Sequence, residues 1–511
     1  MRVPLTLRDH IDRAERVYPD RLAVIDEPDQ PADPLPQQTY RELAERARAQ
    51  AAGLDALGVG HGERIAIVSQ NSARLLSSFF GVSAYGRVVV PVNFRLRAPE
   101  VKHIVEHSGA SVLLVDPELD DELSSISAPH RFVLGVESDE ALHDFDREPA
   151  PWEPEEEATA SINYTSGTTA RPKGVQLTHR NLWINSTVFG WQLGISDRDV
   201  LLHTLPQFHV NGWTIPYAAT AMGVKQVILR KVDGGEILRR IEAHGVTLLC
   251  GAPAVVAAVL EAAADWDGPI PGAGTVRVVV AGAPPPTRII ERVGQELGWE
   301  FIQIYGLTET SPLLTMSRSR AEWDDLDPNR QAQLLSRAGH PAFGIDVRVT
   351  DDGEVVAHGN HVMDGYWQQP DATGEAIRDG WFHTGDGGRL EDDGALVIQD
   401  RKKDVIISGG ENVSSIEVED CLFSHPEVAE VAVIGVPDER WGETVKALVV
   451  RTGGATCDET SLIAHCKERL AGYKCPTSVE FREQLDRTAT GKLQKFKLRQ
   501  PYWEGQERQV H

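Results

Sequence analysis

The sequence predicts an α/β chain: a large N-terminal domain of mixed, mainly parallel sheets flanked by helices plus a β-rich part, then a small α+β C-terminal domain. Three observations predict it. Short β-branched runs alternate with helical patterns over most of the first 400 residues, as parallel strands joined by helical crossovers require. From Ile345 the pattern turns to short strands punctuated by glycine. After Arg401 the composition shifts at Lys402, Lys403 and Asp404, and a compact αβ pattern runs to the end. A chain of 511 residues exceeds what one core supports. The division is therefore placed at 1–400 and 401–511, with a hinge at about 401–404.

In chain order, Tyr40 to Leu57 reads as an amphipathic helix capped by Thr39. Arg64 to Ser69 and Ser111 to Val115 read as buried strands. Leu75 to Phe94 approaches membrane-spanning length, but Ser77, Ser78, Tyr85 and Arg87 interrupt it. It reads instead as a buried helix leading into the strand Val88 to Val92. Pro149 to Glu157, with three prolines and four glutamates, is a charged connector. Val224 to Leu229, Leu248 to Cys250, Val276 to Val280 and Glu300 to Ile304 are further strands, and Leu326 to Arg337 is a polar surface excursion. The tail after Trp503 is polar and frayed.

Apolar residues make up 41% and charged residues 25%, an ordinary globular mix. The net charge of -25 opposes a broad nucleic-acid surface. Five cysteines without CxxC spacing suit reduced thiols in a cytoplasm. The N-terminus lacks the apolar core of a signal peptide, and no membrane span is expected.

The most informative stretch is Ile162 to Val175, an apolar strand running into hydroxyls, glycine, proline and lysine. Backbone N–H groups around Gly167 can approach phosphate oxygens, because glycine lacks a Cβ. Thr165, Ser166, Thr168 and Thr169 add hydroxyl donors, and Lys173 adds positive charge. The common P-loop is excluded, since Pro172 precedes the lysine and Gly174 follows it. A Ser/Thr/Gly-rich surface turn shares this composition. Six further segments decide between the two readings: Pro206 to Gly212, Val278 to Pro286, Ile304 to Pro312, Gly380 to Asp386, Asp400 to Val413 and Thr488 to Lys495.

Jointly, and in this order, these segments resemble the adenylate-forming (AMP-binding) superfamily, of the acyl-CoA synthetase or acid–CoA ligase type. The resemblance covers nearly the whole chain; Ala170 departs from the usual glycine. It implies an ATP- and Mg2+-dependent enzyme that turns a small-molecule carboxylic acid into an acyl-adenylate, releases pyrophosphate, and passes the acyl group to coenzyme A. An acyl carrier protein is the alternative acceptor, and a nucleotide-binding module without turnover is a third reading. A homodimer is compatible with the resemblance. The small domain is implied to be mobile between two poses.

Residue by residue, the resemblance assigns Lys492 to bridge the carboxylate and the α-phosphate, with Lys173 and Thr308 in support. Glu309, with Thr165, is assigned to the metal. Tyr305, Gly306 and the Gly282-Ala283-Pro284 backbone are assigned to adenine, and Asp386 and Arg401 to the ribose. Phe208, His209, Val210 and Trp213, with Gly251 and Ile304, are assigned to the acyl pocket, and Tyr217 stands near them in sequence. No acid lies between Leu205 and Met222, which disfavours an α-amino acid substrate. Lys403 matches the hinge position. Ser408, Gly409 and Gly410, with Trp441 and Lys474, are assigned to the coenzyme A side. Two departures stand out there. Cys475 and Thr477 replace basic residues, and Ser414-Ser415 has no functional account in the sequence.

Overall fold

In the computed structural model, residues 1–165, 172–401, 404–408, 411–438, 440–487 and 493–504 are described. Their strands form four sheets. In the nine-stranded sheet, Leu22–Ile25, Lys225–Ile228, Val200–His203, Leu248–Gly251, Arg277–Val280 and Glu300–Gly306 run parallel. Antiparallel Gln38–Thr39 closes one edge, and Leu313–Ser317 with His340–Pro341 closes the other. A seven-stranded sheet repeats the plan. Its parallel strands His130–Val133, Ala110–Val115, Arg64–Val68, Val88–Val92 and Thr159–Thr165 are extended antiparallel by Lys173–Thr178 and Gly365–Tyr366.

Local chemistry explains the helices around these sheets. Tyr40–Ala56 starts at a capping box in which Thr39 accepts the Glu42 N–H and Glu42 reaches back to the Thr39 N–H. Ala73–Ser83, capped by Ser72, is buried along its whole length. The interrupted apolar stretch is therefore a core helix, as its serines and arginine indicate. Among the described residues, no helix is long and apolar enough to cross a membrane. The segment 326–337 is largely exposed, as expected of a surface excursion, but it is not irregular. It holds the helix Pro328–Leu335, capped by Asp327, with Ala332 and Leu335 buried. Only one narrow face is apolar, too little for a periodic signal.

The β-rich part is a five-stranded antiparallel sheet that includes Trp381–Leu390 and Leu396–Arg401. The smaller C-terminal domain has its own sheet and core. Its strands are Glu411–Val413, Ile406–Ser408, Gly442–Arg451 and Val428–Asp438, with Ser478–Phe481 added in parallel. Thr287 donates from its backbone N–H and its hydroxyl to Asp420, at 2.9 and 3.1 Å, joining large and small domains.

Candidate active site

The predicted nucleotide residues gather where the parallel strands of the nine-stranded sheet end, the edge at which such sheets leave a crevice. Gly251 ends one strand, Ala281 to Pro284 follow the next, and Tyr305 and Gly306 end the third. Gly251 pairs with Val280, and Val280 pairs with Gln303, so the three segments lie side by side. Gly282 has φ of +92°, which any residue with a Cβ adopts only under strain. A cavity of about 370 Å³ lined by Gly274 to Arg277 and Trp299 lies at the opposite end of these strands, away from every predicted site residue.

Three residues read from separate motifs meet beside this edge. The Tyr305 hydroxyl donates to Asp386 Oδ2 at 2.8 Å, and Arg401 Nε stands 3.4 Å from Asp386 Oδ1. Asp386 and Arg401 are cross-strand partners in the five-stranded sheet. Burial first, then the Asp386 charge, holds the Tyr305 hydroxyl well above its usual range, so it stays a donor.

A second group forms around the hairpin of the seven-stranded sheet. Thr165 and Lys173 face each other across its last register pair, at the base of the loop. Ser166, Gly167, Thr168 and Thr169 lie outside the described residues. Lys173 Nζ sits 4.7 Å above the Tyr366 ring, and the Tyr366 hydroxyl donates to Glu309 Oε1 at 2.9 Å. Thr308 and Glu309 occupy a 3-10 turn, Thr308–Thr310, one residue beyond Gly306. Tyr366 thus joins the lysine to the glutamate, and sequence reasoning missed it. The available signal was the aromatic Gly365-Tyr366-Trp367 run, two of whose residues form a short strand on Lys173–Thr178.

Burial raises the Glu309 carboxyl, opposed by the Tyr366 hydroxyl and the charge of Arg401. A divalent cation on Glu309 would offset that desolvation, and its hard oxygen donors suit Mg2+. His425, Glu427 and Cys457 form another donor set, within 4.8 Å of one another. There the ring accepts the Glu427 N–H at 3.2 Å and the carboxylate accepts the Thr456 N–H at 3.3 Å, so both groups already have partners within the protein.

On the acyl side, Trp213 and Ile304 share one apolar core with Leu205 and Cys250. Phe208 packs edge-to-face on Phe94 at 5.7 Å, and His209 is half-buried beside it. Val210 is buried, and Gly251 closes its strand in the sheet beneath. Tyr217 is no part of this wall: it is wholly buried against Phe79 and Phe80.

In the small domain, Ser408 pairs with Gly442, next to a half-exposed Trp441 that carries the Arg440 guanidinium at 4.6 Å. Lys474 Nζ binds both Glu417 carboxylate oxygens, at 2.8 and 2.7 Å, so its charge is already matched. Cys475 is buried in the small-domain core, and Thr477 Oγ1 meets Thr444 Oγ1 at 2.9 Å. Cys475 therefore belongs to the small-domain core, while Thr477 is exposed and held by its hydroxyl contact. The serine pair has a structural account. Ser414 caps the helix Ser415–Phe423, while Ser415 donates to Asp400 and accepts from Lys495, which pairs with Glu419 at 2.8 Å. Lys403, Gly409, Gly410 and Lys492 lie outside the described residues.

The profile of the AMP-binding enzyme family matches residues 11–367, and that of the AMP-binding enzyme C-terminal domain matches 417–492. The chain is similar to 2-methylpropanoate–CoA ligase CCL4 of Humulus lupulus, with 35% identity over 97% of this chain and 95% of that one. It is 36% identical to 4-hydroxybutyrate–CoA ligase 2 of Metallosphaera sedula, over 96% and 93%. The anthranilate CoA ligase AuaEII, solved with anthranoyl-AMP, superposes with a TM-score of 0.87 at 26% identity, covering 98% of each chain. Motif order, the strand-end site and these likenesses agree: the chain belongs to the AMP-binding enzyme family and is an ATP-dependent acid–CoA ligase.

Proposed function

We propose that the acid is a short aliphatic monocarboxylate and that coenzyme A accepts the acyl group in the cytoplasm. The observation that carries the acid class is the packing of Trp213 and Ile304 with Leu205 and Cys250 in one buried apolar core, beside which Leu205, Gly212 and Cys250 enclose only about 10 Å³. The relatives named for 2-methylpropanoate and 4-hydroxybutyrate support this size. No acidic side chain between Leu205 and Met222 could pair with a substrate ammonium. Five cysteines, all free, suit a reducing compartment.

In this reading Asp386 and Arg401 take the ribose diol, while Tyr305 and the Gly282 to Pro284 backbone flank adenine. Thr165, Lys173, Thr308 and Lys492 surround the phosphates. Lys492 neutralises the approach of carboxylate to α-phosphate, where like charges otherwise repel. Glu309 holds Mg2+, which supplies charge neutralisation on the phosphates when bound. Lys403 is the hinge that swings the small domain, and Ser408 to Gly410 with Trp441 receive the pantetheine arm. A carrier protein is the second reading, favoured by one observation: Lys474 is spent on Glu417 and leaves the coenzyme's phosphates one basic contact fewer.

ATP–pyrophosphate exchange over linear, branched, aryl, polycyclic and amino acids, with product mass recorded in the presence of coenzyme A, tests both points. Exchange that peaks on short acids and yields acyl-CoA supports the proposal. A peak on aryl or polycyclic acids overturns the acid class, and exchange without acyl-CoA moves the acceptor to a carrier protein.

A further inference from the structure

Between His209 and Ile215 the backbone adopts a conformation that the nucleotide chemistry does not call for. Val210, Asn211, Gly212, Trp213 and Thr214 have φ of 39°, 43°, 61°, 58° and 62°, five consecutive residues in the left-handed region. The N–H groups close as they do in a helix. Trp213 donates to the His209 carbonyl at 3.1 Å, and Thr214 donates to that of Val210 at 3.2 Å. The segment is one turn of left-handed helix, a geometry that disfavours each residue other than glycine by about 1–2 kcal/mol. Gly212 is the one glycine here, and Val210 and Thr214 are β-branched, for which this region is an outlier. Strain of this kind persists only where the surroundings over-determine it.

The surroundings form a buried polar seam. Asn211 Oδ1 accepts from Ser161 Oγ at 3.0 Å, and Asn211 Nδ2 donates to the Tyr217 hydroxyl at 2.8 Å. Thr214 Oγ1 accepts from Asn185 Nδ2 at 2.6 Å, and Asn185 Oδ1 accepts the Leu313 N–H at 3.2 Å. Ser161, Asn185, Asn211, Thr214 and Tyr217 are all 0% exposed, so water cannot replace a lost partner. The two anchors are informative. Ser161 lies on Thr159–Thr165, the strand that leads into the phosphate loop. Leu313 begins the strand that follows the Thr308–Thr310 turn. Each end of the turn is therefore tied to a segment assigned to the nucleotide. Beneath it, His203, Leu205, Gly212, Ile215, Pro216 and Cys250 enclose only about 10 Å³, room for a single water at most and none for relaxation.

We infer that this left-handed turn is the template for the acyl side of the site, and that Asn211 is its positioning residue. Its two hydrogen bonds hold the turn in register, and the turn fixes Trp213 on its own arc and His209 at its entrance. Asn211 acts through those two side chains and sets the length of acid accepted. The inference rests on the acyl-side reading given above.

The test compares Asn211→Ala, Asn211→Gly and Tyr217→Phe with the unmodified enzyme in ATP–pyrophosphate exchange, after circular dichroism shows each folded. Alanine loses both side-chain bonds and keeps the penalty of a Cβ at positive φ. Glycine loses the same bonds but accepts that φ. Asn211→Ala is expected to raise KM for the preferred acid by about tenfold or more, and to flatten the ranking of short over longer acids. KM for ATP should stay within about twofold, and Asn211→Gly should lie between alanine and the unmodified enzyme. Tyr217→Phe, which removes one partner only, should move the same way by less and remains usable if the alanine variant fails to fold. Unchanged acid KM and ranking, with only thermal stability lowered, overturn the inference. So does an equal rise in KM for acid and ATP. If the unmodified enzyme prefers a long or polycyclic acid, the short-acid proposal falls, yet a shifted ranking in the variants still supports the role of the turn.

Discussion

At the scale of single residues, the Glu309 carboxylate accepts the Tyr366 hydroxyl at 2.9 Å while Lys173 rides over the same ring. A hydrogen bond to a charged group contributes about 1.5–3 kcal/mol, and about 1.4 kcal/mol is a factor of ten. Tyr366→Phe is therefore expected to raise KM for magnesium-ATP by about tenfold in pyrophosphate exchange, with KM for the acid unchanged. An unaltered KM for ATP would leave Tyr366 a packing residue. Glu309 was legible in the sequence because Tyr-Gly-Leu-Thr-Glu-Thr is a compact string. Tyr366 was not, because 57 residues separate it from its partner, and the two meet only where the seven-stranded sheet packs beside the turn that holds Glu309. Cys475 and Lys474 teach the converse. Their place in the string was readable, but burial of the thiol and the pairing of the lysine with Glu417 were not.

At the scale of elements, the junction to the small domain depends on the first turn of the helix Ser415–Phe423. Asp400, at the end of one sheet, accepts both the Ser415 hydroxyl and the Ser415 N–H, and Lys495 closes the seam onto Glu419. Every member is buried or nearly so. Ser415→Ala strands an acceptor of Asp400 and a donor of Lys495, at about 1–3 kcal/mol. The small-domain transition in calorimetry should fall by about 5 °C or more, since about 1 kcal/mol shifts a domain of this size by several degrees. An unshifted transition would mean that water replaces the hydroxyl. Strands such as Arg64–Val68 and Val88–Val92 were legible because parallel strands covered on both faces read as continuous apolar runs. Pro328–Leu335 was not, because a helix that buries two side chains leaves no period to detect.

At the scale of the whole molecule, four histidines are sealed inside the large domain. His10, His203 and His361 are lowered to about 4 and His179 to about 3, each chiefly because burial penalises the charged ring. The ordinary value is 6.5, so protonation favours the unfolded chain. Each ring's contribution to stability is full above about pH 6.5 and is lost as pH falls toward the folded value. Between pH 7 and pH 5 that amounts to about 2 kcal/mol per ring. Denaturant unfolding at pH 7, 6 and 5 should show this acid loss, and His203→Gln should reduce it by about one ring's share. An identical pH dependence in the variant would mean that His203 is not buried neutral.

The sequence by itself determined the family and the parallel α/β plan, and it named the candidate nucleotide residues. Each of those signals is local: a glycine where backbone must approach an anion, a hydroxyl run, an apolar strand of fixed period. Only the tertiary structure decided which groups meet. Tyr305 reaches Asp386 across 81 residues, and Asn211 reaches Ser161 across 50. The first contact joins two different sheets, so their packing against each other sets it. The second pins Val210 to Thr214 in a backbone their own side chains disfavour. Local preference favours right-handed or extended backbone there, and a buried hydrogen-bond seam, assembled only when distant strands close, outweighs it.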